Sequence, residues 1–189
     1  MEHDSSIARG DVFEESTLGD SPSLLIIGYG NISRRDDGVA YHILQRASER
    51  FGLPECSMGP AEGEEPKAGL SVIFVHQMAP ELAETLSRYD AVVFIDAHVE
   101  GTGWEPVHCQ KIAPAFKSGM VTHFLRPDTL LALCASLYEH CPVGYMLSVL
   151  GKDFDFGEEL SQETSVLADK AVDRLLDLVR SEGVEFHST

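Results

Sequence analysis

Residues 23–38 read SLLIIGYGNISRRDDG, and this stretch decides the fold. The aliphatic run Leu24–Ile27 ends at a glycine, which is the pattern of a strand that is covered on both faces in a parallel sheet. After the glycine loop, apolar residues recur at three- and four-residue spacing, which predicts a helix over residues 37–51. The acids Asp36 and Asp37 therefore lie where a strand, a turn and a helix meet.

The composition favours one domain and argues against several classes of partner. The chain has 189 residues, of which 43% are hydrophobic, enough for a single packed core. It carries 31 acidic and 14 basic residues, a formal net charge of −17, whereas binding to nucleic acid or anionic membranes depends on Lys and Arg. No apolar run reaches the ~18 residues that span a bilayer, and the N-terminus lacks the features of a secretory signal. We therefore expect a cytoplasmic monomer without nucleic-acid partners or membrane insertion.

The remaining apolar segments continue an alternation of strands and helices. Strands are predicted at Leu70–Val75, Ala91–Ile95, Pro106–Ile112 and Tyr145–Leu150, and helices at Pro80–Leu86, from Pro127 onward and after Ser161 as N-cap. The expected fold is a single three-layer α/β domain over residues 23–182, a mainly parallel twisted sheet of about five strands with helices on both faces. Residues 1–22 are predicted to be an acidic flexible tail, residues 183–189 a C-terminal tail, and residues 54–69 a loop.

Three chemically useful side chains are expected at one edge of this sheet. Asp37 follows the first strand, Asp96 ends the third, and His123 lies in the loop before the helix at Pro127. In open α/β sheets the ligand site lies at the carboxyl ends of the strands, so the acids converge if these two strands are neighbours. Two carboxylates and an imidazole suit nickel or zinc better than calcium. Asp36 is expected to cap the helix, which leaves Asp37 free for other work.

Four local motifs together point to a known family. They are Gly28-Tyr29-Gly30-Asn31 with Asp36-Asp37-Gly38, Ile95-Asp96-Ala97, Thr122-His123-Phe124-Leu125 running into Asp128-Thr129-Leu130-Leu131, and Gly157-Glu158-Glu159-Leu160-Ser161. In order and spacing, over residues 24–179, they resemble the hydrogenase maturation proteases. These endopeptidases trim the C-terminus of the [NiFe] hydrogenase large subunit.

The resemblance implies a function and a set of roles. Asp37, Asp96 and His123 fall on the family's metal-binding positions, where they would recognise nickel already inserted in the precursor. Nickel would then be supplied by the substrate, with zinc or cadmium as surrogates, and no catalytic zinc would be held permanently. Cleavage of the hydrogenase precursor would follow near its metal-binding cysteine motif.

The sequence departs from the family's pattern at two places. Arg34-Arg35 stand where the family commonly has glycine before the acid pair, and Val75-His76-Gln77 stand where it commonly has Asp-Gly-Gly. We expect Arg35 to narrow the cleft or to pair with Asp96. Further candidates for positioning the site or contacting substrate are Asn31, Asp36, His76, Gln77 and His98.

Two other functions compete with a metal-dependent or aspartyl-type endopeptidase. Gly28-Tyr29-Gly30 after a strand would also suit a nucleotide-binding Rossmann-like domain, but Ser33 and Arg34 occupy the region of the expected third glycine. The acid pair would also place negative charge where a pyrophosphate should lie. A non-catalytic module that senses nickel or acts as a chaperone stays open. A serine or cysteine protease is disfavoured because the sequence has no G-x-S-x-G elbow and no signature of an activated cysteine.

Overall fold

The protein is described here by a computed structural model that covers residues 22–59, 69–116 and 125–183. Its strands are β1 (Ser23–Tyr29), β2 (Ser57–Met58), β3 (Gly69–Val75), β4 (Ala91–His98), β5 (Val107–Ile112) and β6 (Val143–Leu150). Its helices are α1 (Val39–Phe51), α2 (Leu82–Leu86), α3 (Pro127–Leu137) and α4 (Gln162–Ser181), and a 3-10 turn (Arg35–Gly38) precedes α1. The predicted tails lie almost entirely outside the described residues.

The strands form one sheet in the order β2-β3-β1-β4-β6-β5. Every neighbouring pair is parallel except β5 with β6, so the predicted mainly parallel α/β fold is confirmed. The five predicted strands correspond to β1, β3, β4, β5 and β6. The sixth, β2, corrects the expectation of a loop throughout residues 54–69, because Ser57 and Met58 pair with Ile73 and Phe74. Two residues are too few to show an alternating pattern.

Two apolar layers enclose the sheet. On one face the buried residues of α1 and α4 pack against alternate strand residues, and on the other face α2 and α3 do the same. The fully buried run Leu24–Ile27 contributes to both layers, which is why it reads as continuously apolar. Among the described residues, none of the helices is both long and apolar enough to cross a membrane.

The sheet order places a topological switch point at β1 and β4. The chain leaves β1 through α1 toward β3, then returns through α2 on the opposite face to β4, on the other side of β1. Gly28 of β1 lies opposite Ile95 of β4, so β1 ends at Tyr29 beside this part of β4, which continues to His98. These two strands are neighbours, so the condition for the two acids to converge is met, and the crevice expected in such sheets lies at their carboxyl ends.

Candidate functional site

The loop after β1 is folded tightly around Asp37. Gly30 has a φ of +138°, and a Cβ atom at that position would lie 2.0 Å from the main-chain oxygen of Asp37. Only glycine fits there without displacing the acid. The amide of Asn31 donates to Asp37 Oδ2 at 2.9 Å, which fixes the carboxylate over the end of β1. Asn31 thus contributes through its main chain, while its side-chain oxygen accepts the amide of Ser33 at 3.0 Å.

Asp96 lies near the end of β4 and interacts with Asp37. Its Oδ1 accepts the amide of Ala97 at 2.7 Å, and the Tyr29 hydroxyl donates to the same carboxylate. Burial raises the pKa of Asp96 to about 7, and repulsion from Asp37 adds to this increase against the two hydrogen bonds. The structure therefore brings the two predicted acids together, and one of them, Asp96, has a pKa near neutrality.

Tyr29 is a site residue that the sequence reasoning missed. Burial, followed by the charge and hydrogen bond of Asp96, holds the pKa of this phenol well above its usual value. Arg126 and Asp128, at the start of α3, are its other charged neighbours, and they pair with each other at 3.3 Å. Its position in the sequence could have identified Tyr29 as a site residue. A tyrosine at the last residue of a buried central strand brings a hydroxyl to the sheet edge where ligands bind.

The third predicted ligand, His123, lies outside the described residues. Within residues 22–59, 69–116 and 125–183, no group of three or more His, Cys, Asp and Glu side chains is arranged to hold a metal ion. The described part of the chain supplies two carboxylate donors, which fit a divalent cation as part of a larger donor set. A complete metal site would need His123 or groups from a substrate.

His98 is connected to the main chain of Asp96 through Ser148. The Ser148 hydroxyl donates to the Asp96 carbonyl at 3.3 Å and lies 2.9 Å from His98 Nδ1. Ser148 thus links the His98 ring to the main chain of Asp96. Burial, with a smaller effect of His108, lowers the pKa of His98. Nε2 of both histidines is buried without a hydrogen-bond partner among the described groups.

Asp36 does not cap its own helix, which corrects the prediction. It is completely buried, and its carboxylate accepts the amides of Lys152, Asp153 and Ser161 at 2.7 to 2.8 Å. The hydroxyls of Ser161 and Thr164 donate to it as well. Burial raises the pKa of Asp36, but these hydrogen bonds outweigh burial and the net pKa is lowered. Asp36 therefore joins the first loop to the loop after β6 and to the start of α4.

Arg35 does not pair with Asp96, which corrects a second expectation. Its guanidinium forms an ion pair with Asp153 at 3.0 Å and reaches the Phe156 carbonyl at 3.5 Å. The Arg35 main chain has a φ of +43°, a region that favours glycine. The side chain is directed to the loop after β6, so it does not neutralise the acids.

His76 and Gln77 follow β3 at the same sheet edge and are exposed. The His76 ring lies edge-on to Phe74 at 6.2 Å. Neither side chain forms a hydrogen bond with Asp37 or Asp96 in the described part of the chain. Both stay candidates for contact with a substrate.

The glycine loop is not arranged as a phosphate site. The Asn31 amide, which lies where a phosphate would be bound, donates to Asp37 instead. The Asp37 main chain fills the space above Gly30, and its carboxylate brings negative charge to that space. This geometry disfavours a dinucleotide at the loop, because such a site needs free amides beside the helix start.

A cleft of about 450 Å³ opens beside Asp96. Tyr29 and Asp96 lie at its wall together with side chains from β5 and β6, Trp104 from the preceding loop, and the first residues of α3. A substrate segment placed against Asp96 would therefore have this cleft next to it.

Comparison with known proteins shows the fold. No family model matches the sequence, and no curated protein matches it significantly. The structure is similar to the hydrogenase maturating endopeptidase HybD from Escherichia coli, with a TM-score of 0.64 and 19% identity over 86% of this chain and 95% of that one. It is also similar to the [NiFe] hydrogenase maturation proteases HybD and HycI from Thermococcus kodakarensis. Their TM-scores are 0.53 and 0.56, their identities 20% and 17%, and the matches cover 83% and 86% of this chain and 99% and 92% of theirs.

Proposed function

We propose that this chain belongs to the hydrogenase maturation proteases and removes the C-terminal extension of a [NiFe] hydrogenase large-subunit precursor after nickel insertion. In this proposal Asp37, Asp96 and His123 recognise the metal that the precursor carries. One observation carries it: Asp37 and Asp96 meet at the switch point of a fold shared with named hydrogenase maturation endopeptidases. The motif around His123, quoted above, supplies the nitrogen donor.

The electrostatics of the acid pair support cation recognition. Repulsion from Asp37 adds to the raised pKa of Asp96, so the pair is destabilised when both carboxylates are ionised, and a dication between them would remove that repulsion. The Asn31 amide holds Asp37, and the Ala97 amide and Tyr29 hydroxyl hold Asp96, so both carboxylates are oriented before a ligand arrives. Such preorganisation lowers the cost of binding.

The acids would bind the precursor through its own nickel, so that only a loaded precursor is positioned for cleavage. A divalent ion in that position would polarise the scissile carbonyl or activate a water molecule. Without metal, the Asp96 carboxyl has a pKa of about 7 and exchanges a proton near neutral pH, so binding of the loaded precursor would release that proton.

The test is cleavage of purified hydrogenase large-subunit precursor with and without nickel. We expect the loaded precursor to lose its C-terminal extension, and the metal-free precursor to stay intact over the same period. Asp37→Asn, Asp96→Asn and His123→Gln should each reduce kcat/KM by about 100-fold or more, as loss of a group acting at the reacting centre does. Asp173→Asn, an exposed acid on α4, is the matched control and should cleave normally.

The same experiment has outcomes that would contradict parts of this proposal or favour the non-catalytic alternative. Equal cleavage of loaded and metal-free precursor would overturn nickel recognition. Tight binding of the loaded precursor without any cleavage would favour the non-catalytic sensing or chaperone-like module. Full activity of both Asp37→Asn and Asp96→Asn would show that the proposed site is wrong.

A further inference from the structure

We propose that Cys134 and Cys141 form a reversible disulfide, which joins the end of α3 covalently to the segment before β6 under oxidising conditions. The oxidant is a low-molecular-weight disulfide of the glutathione class. The two cysteines are distinct from the residues to which recognition and cleavage of the precursor are assigned above, so this redox site is independent of the processing function.

Each of the two cysteines contacts the segment that carries the other. Cys134 Sγ donates to the carbonyl of His140, the residue before Cys141, at 3.5 Å. Cys141 Sγ donates to the Leu131 carbonyl at 3.4 Å, within the helical turn that leads to Cys134. The two side chains are also hydrogen-bond partners of each other. Because a disulfide needs two cysteine side chains that face one another at short range, the fold already supplies the arrangement that the bond requires.

The other two cysteines lie on the opposite face of the sheet. Cys56 and Cys109 pack against the apolar layer that contains α1 and α4, whereas Cys134 and Cys141 belong to the layer that contains α2 and α3. All four cysteines are free thiols in the structure. Because the sheet separates the two sets, oxidation of the folded protein should pair Cys134 with Cys141 selectively.

The surroundings of the two thiols assign them different parts in the exchange. Cys134 is completely buried, and this burial raises the pKa of its thiol to about 12, so it is a poor group to meet an external disulfide. Burial raises the pKa of Cys141 as well, but hydrogen bonds from the Cys134 side chain and the Ala135 amide oppose that increase. Cys141 is also partly exposed. It is therefore the thiol that reacts first with the oxidant.

The disulfide forms by two successive exchanges. Cys141 loses its proton to solvent and attacks one sulfur of oxidised glutathione, which gives a mixed disulfide and releases one reduced glutathione. Cys134 then loses its proton, attacks the Cys141 sulfur and releases the second reduced glutathione. One S–S bond forms in the protein and one is broken in the oxidant, while two electrons pass from the protein thiols to glutathione. A dithiol reductant reverses both exchanges.

Peptide mapping after oxidation tests the pairing. Trypsin releases one peptide, residues 118–152, that contains Cys134 and Cys141 and neither of the other cysteines, because Arg126 is followed by proline and is not cut. The folded full chain is incubated overnight with excess oxidised glutathione, quenched in acid, unfolded and alkylated with iodoacetamide. We expect this peptide to be lighter than its reduced form by two hydrogen atoms and to carry no alkyl group, and we expect dithiothreitol to restore two alkylation sites.

Substitutions and alternative products decide the outcome. Cys109→Ser is the matched control at a partly buried cysteine and should leave the mass change intact, whereas Cys141→Ser should abolish it. Two alkyl groups on the wild-type peptide after oxidation would overturn the inference. Glutathione retained on Cys141 with Cys134 alkylated, or a bond from Cys134 to Cys56 or Cys109, would overturn it as well.

Thermal unfolding tests whether the bond is compatible with the fold. A disulfide over the short loop 134–141 restricts the unfolded chain, so oxidised wild type should have a Tm about 5–10 °C above that of reduced wild type. Cys141→Ser should have the same Tm after either treatment, and Cys134→Ala is a second variant with the same expectation. A Tm of the oxidised wild type equal to or below that of the reduced protein would contradict a bond that the fold accommodates.

Discussion

Replacement of Asp36 by alanine should destabilise the fold much more than replacement of its neighbour Asp37. The buried Asp36 carboxylate accepts the amides of Lys152, Asp153 and Ser161. Hydrogen bonds to a charged group contribute about 1.5–3 kcal/mol each. The Thr164 hydroxyl keeps an alternative partner in the Leu150 carbonyl at 3.1 Å, so the amides set the cost. We expect Asp36→Ala to lower the free energy of unfolding by about 4–5 kcal/mol.

Urea unfolding at pH 7, followed by circular dichroism, measures this difference. Asp37→Ala is the matched control: Asp37 is half-buried and accepts one main-chain amide, so its loss should cost about 1 kcal/mol. In thermal unfolding, Asp36→Ala should lower Tm by about 8–20 °C. The control should keep its fold while losing processing of the precursor.

The same prediction specifies how the stability difference between wild type and Asp36→Ala changes with pH. The folded pKa of Asp36 is lowered, so its contribution to stability is complete above the unfolded pKa of about 3.9 and is lost as pH falls through the folded value. The difference between wild type and Asp36→Ala should therefore shrink in acid. An Asp36→Ala variant within 1 kcal/mol of Asp37→Ala at pH 7 would refute the assignment of Asp36 as the structural acid.

Two further predictions concern the other acid and the loop glycine. Asp96 has a folded pKa of about 7, above its unfolded value near 3.9, so its contribution is complete below pH 4 and is lost as pH rises through 7. Relative to Asp96→Asn, metal-free wild type should lose about 2–4 kcal/mol of stability between pH 4 and pH 8 in urea unfolding, and parallel curves would contradict the raised pKa. Gly30→Ala should cost about 2 kcal/mol or more, because its Cβ meets the Asp37 carbonyl at 2.0 Å. A Cβ at Gly59, which also has a positive φ, would meet no described residue within 4 Å, so Gly59→Ala should show only the smaller backbone strain, and equal losses would argue against the contact.

Local patterns of sequence predicted most of the fold. The continuous apolar run of β1, the three- and four-residue period of α1 and the cap at Ser161 each follow from neighbouring residues, and Ser161 does accept the amide of Thr164 at 3.3 Å. The same local reasoning placed Asp37 and Asp96 at one edge, since strand order converts sequence position into proximity.

The features that the sequence did not predict depend on contacts between residues that are far apart along the chain. The groups that bind Asp36 lie more than one hundred residues away in the chain, so a helix cap was the only role visible locally. In the same way, Arg35 pairs with Asp153, and Tyr29 lies near the charge of Arg126. Both partners are distant along the chain and come close only in the folded protein. The two-residue strand β2 is defined by its pairing with β3, and two residues show no strand pattern in the sequence.

The junction at Asp36 also couples two regions of the molecule energetically. One peptide bond separates the acid that binds the start of α4 from the acid that faces the crevice. Fraying of the first turn of α4 would therefore loosen the loop that orients Asp37, and any ligand held by Asp37 would in turn suppress that fraying, because linkage acts equally in both directions. The start of the last helix and the first loop thus form one cooperative unit, in which hydrogen exchange at residues 161–164 reports on occupancy of the crevice.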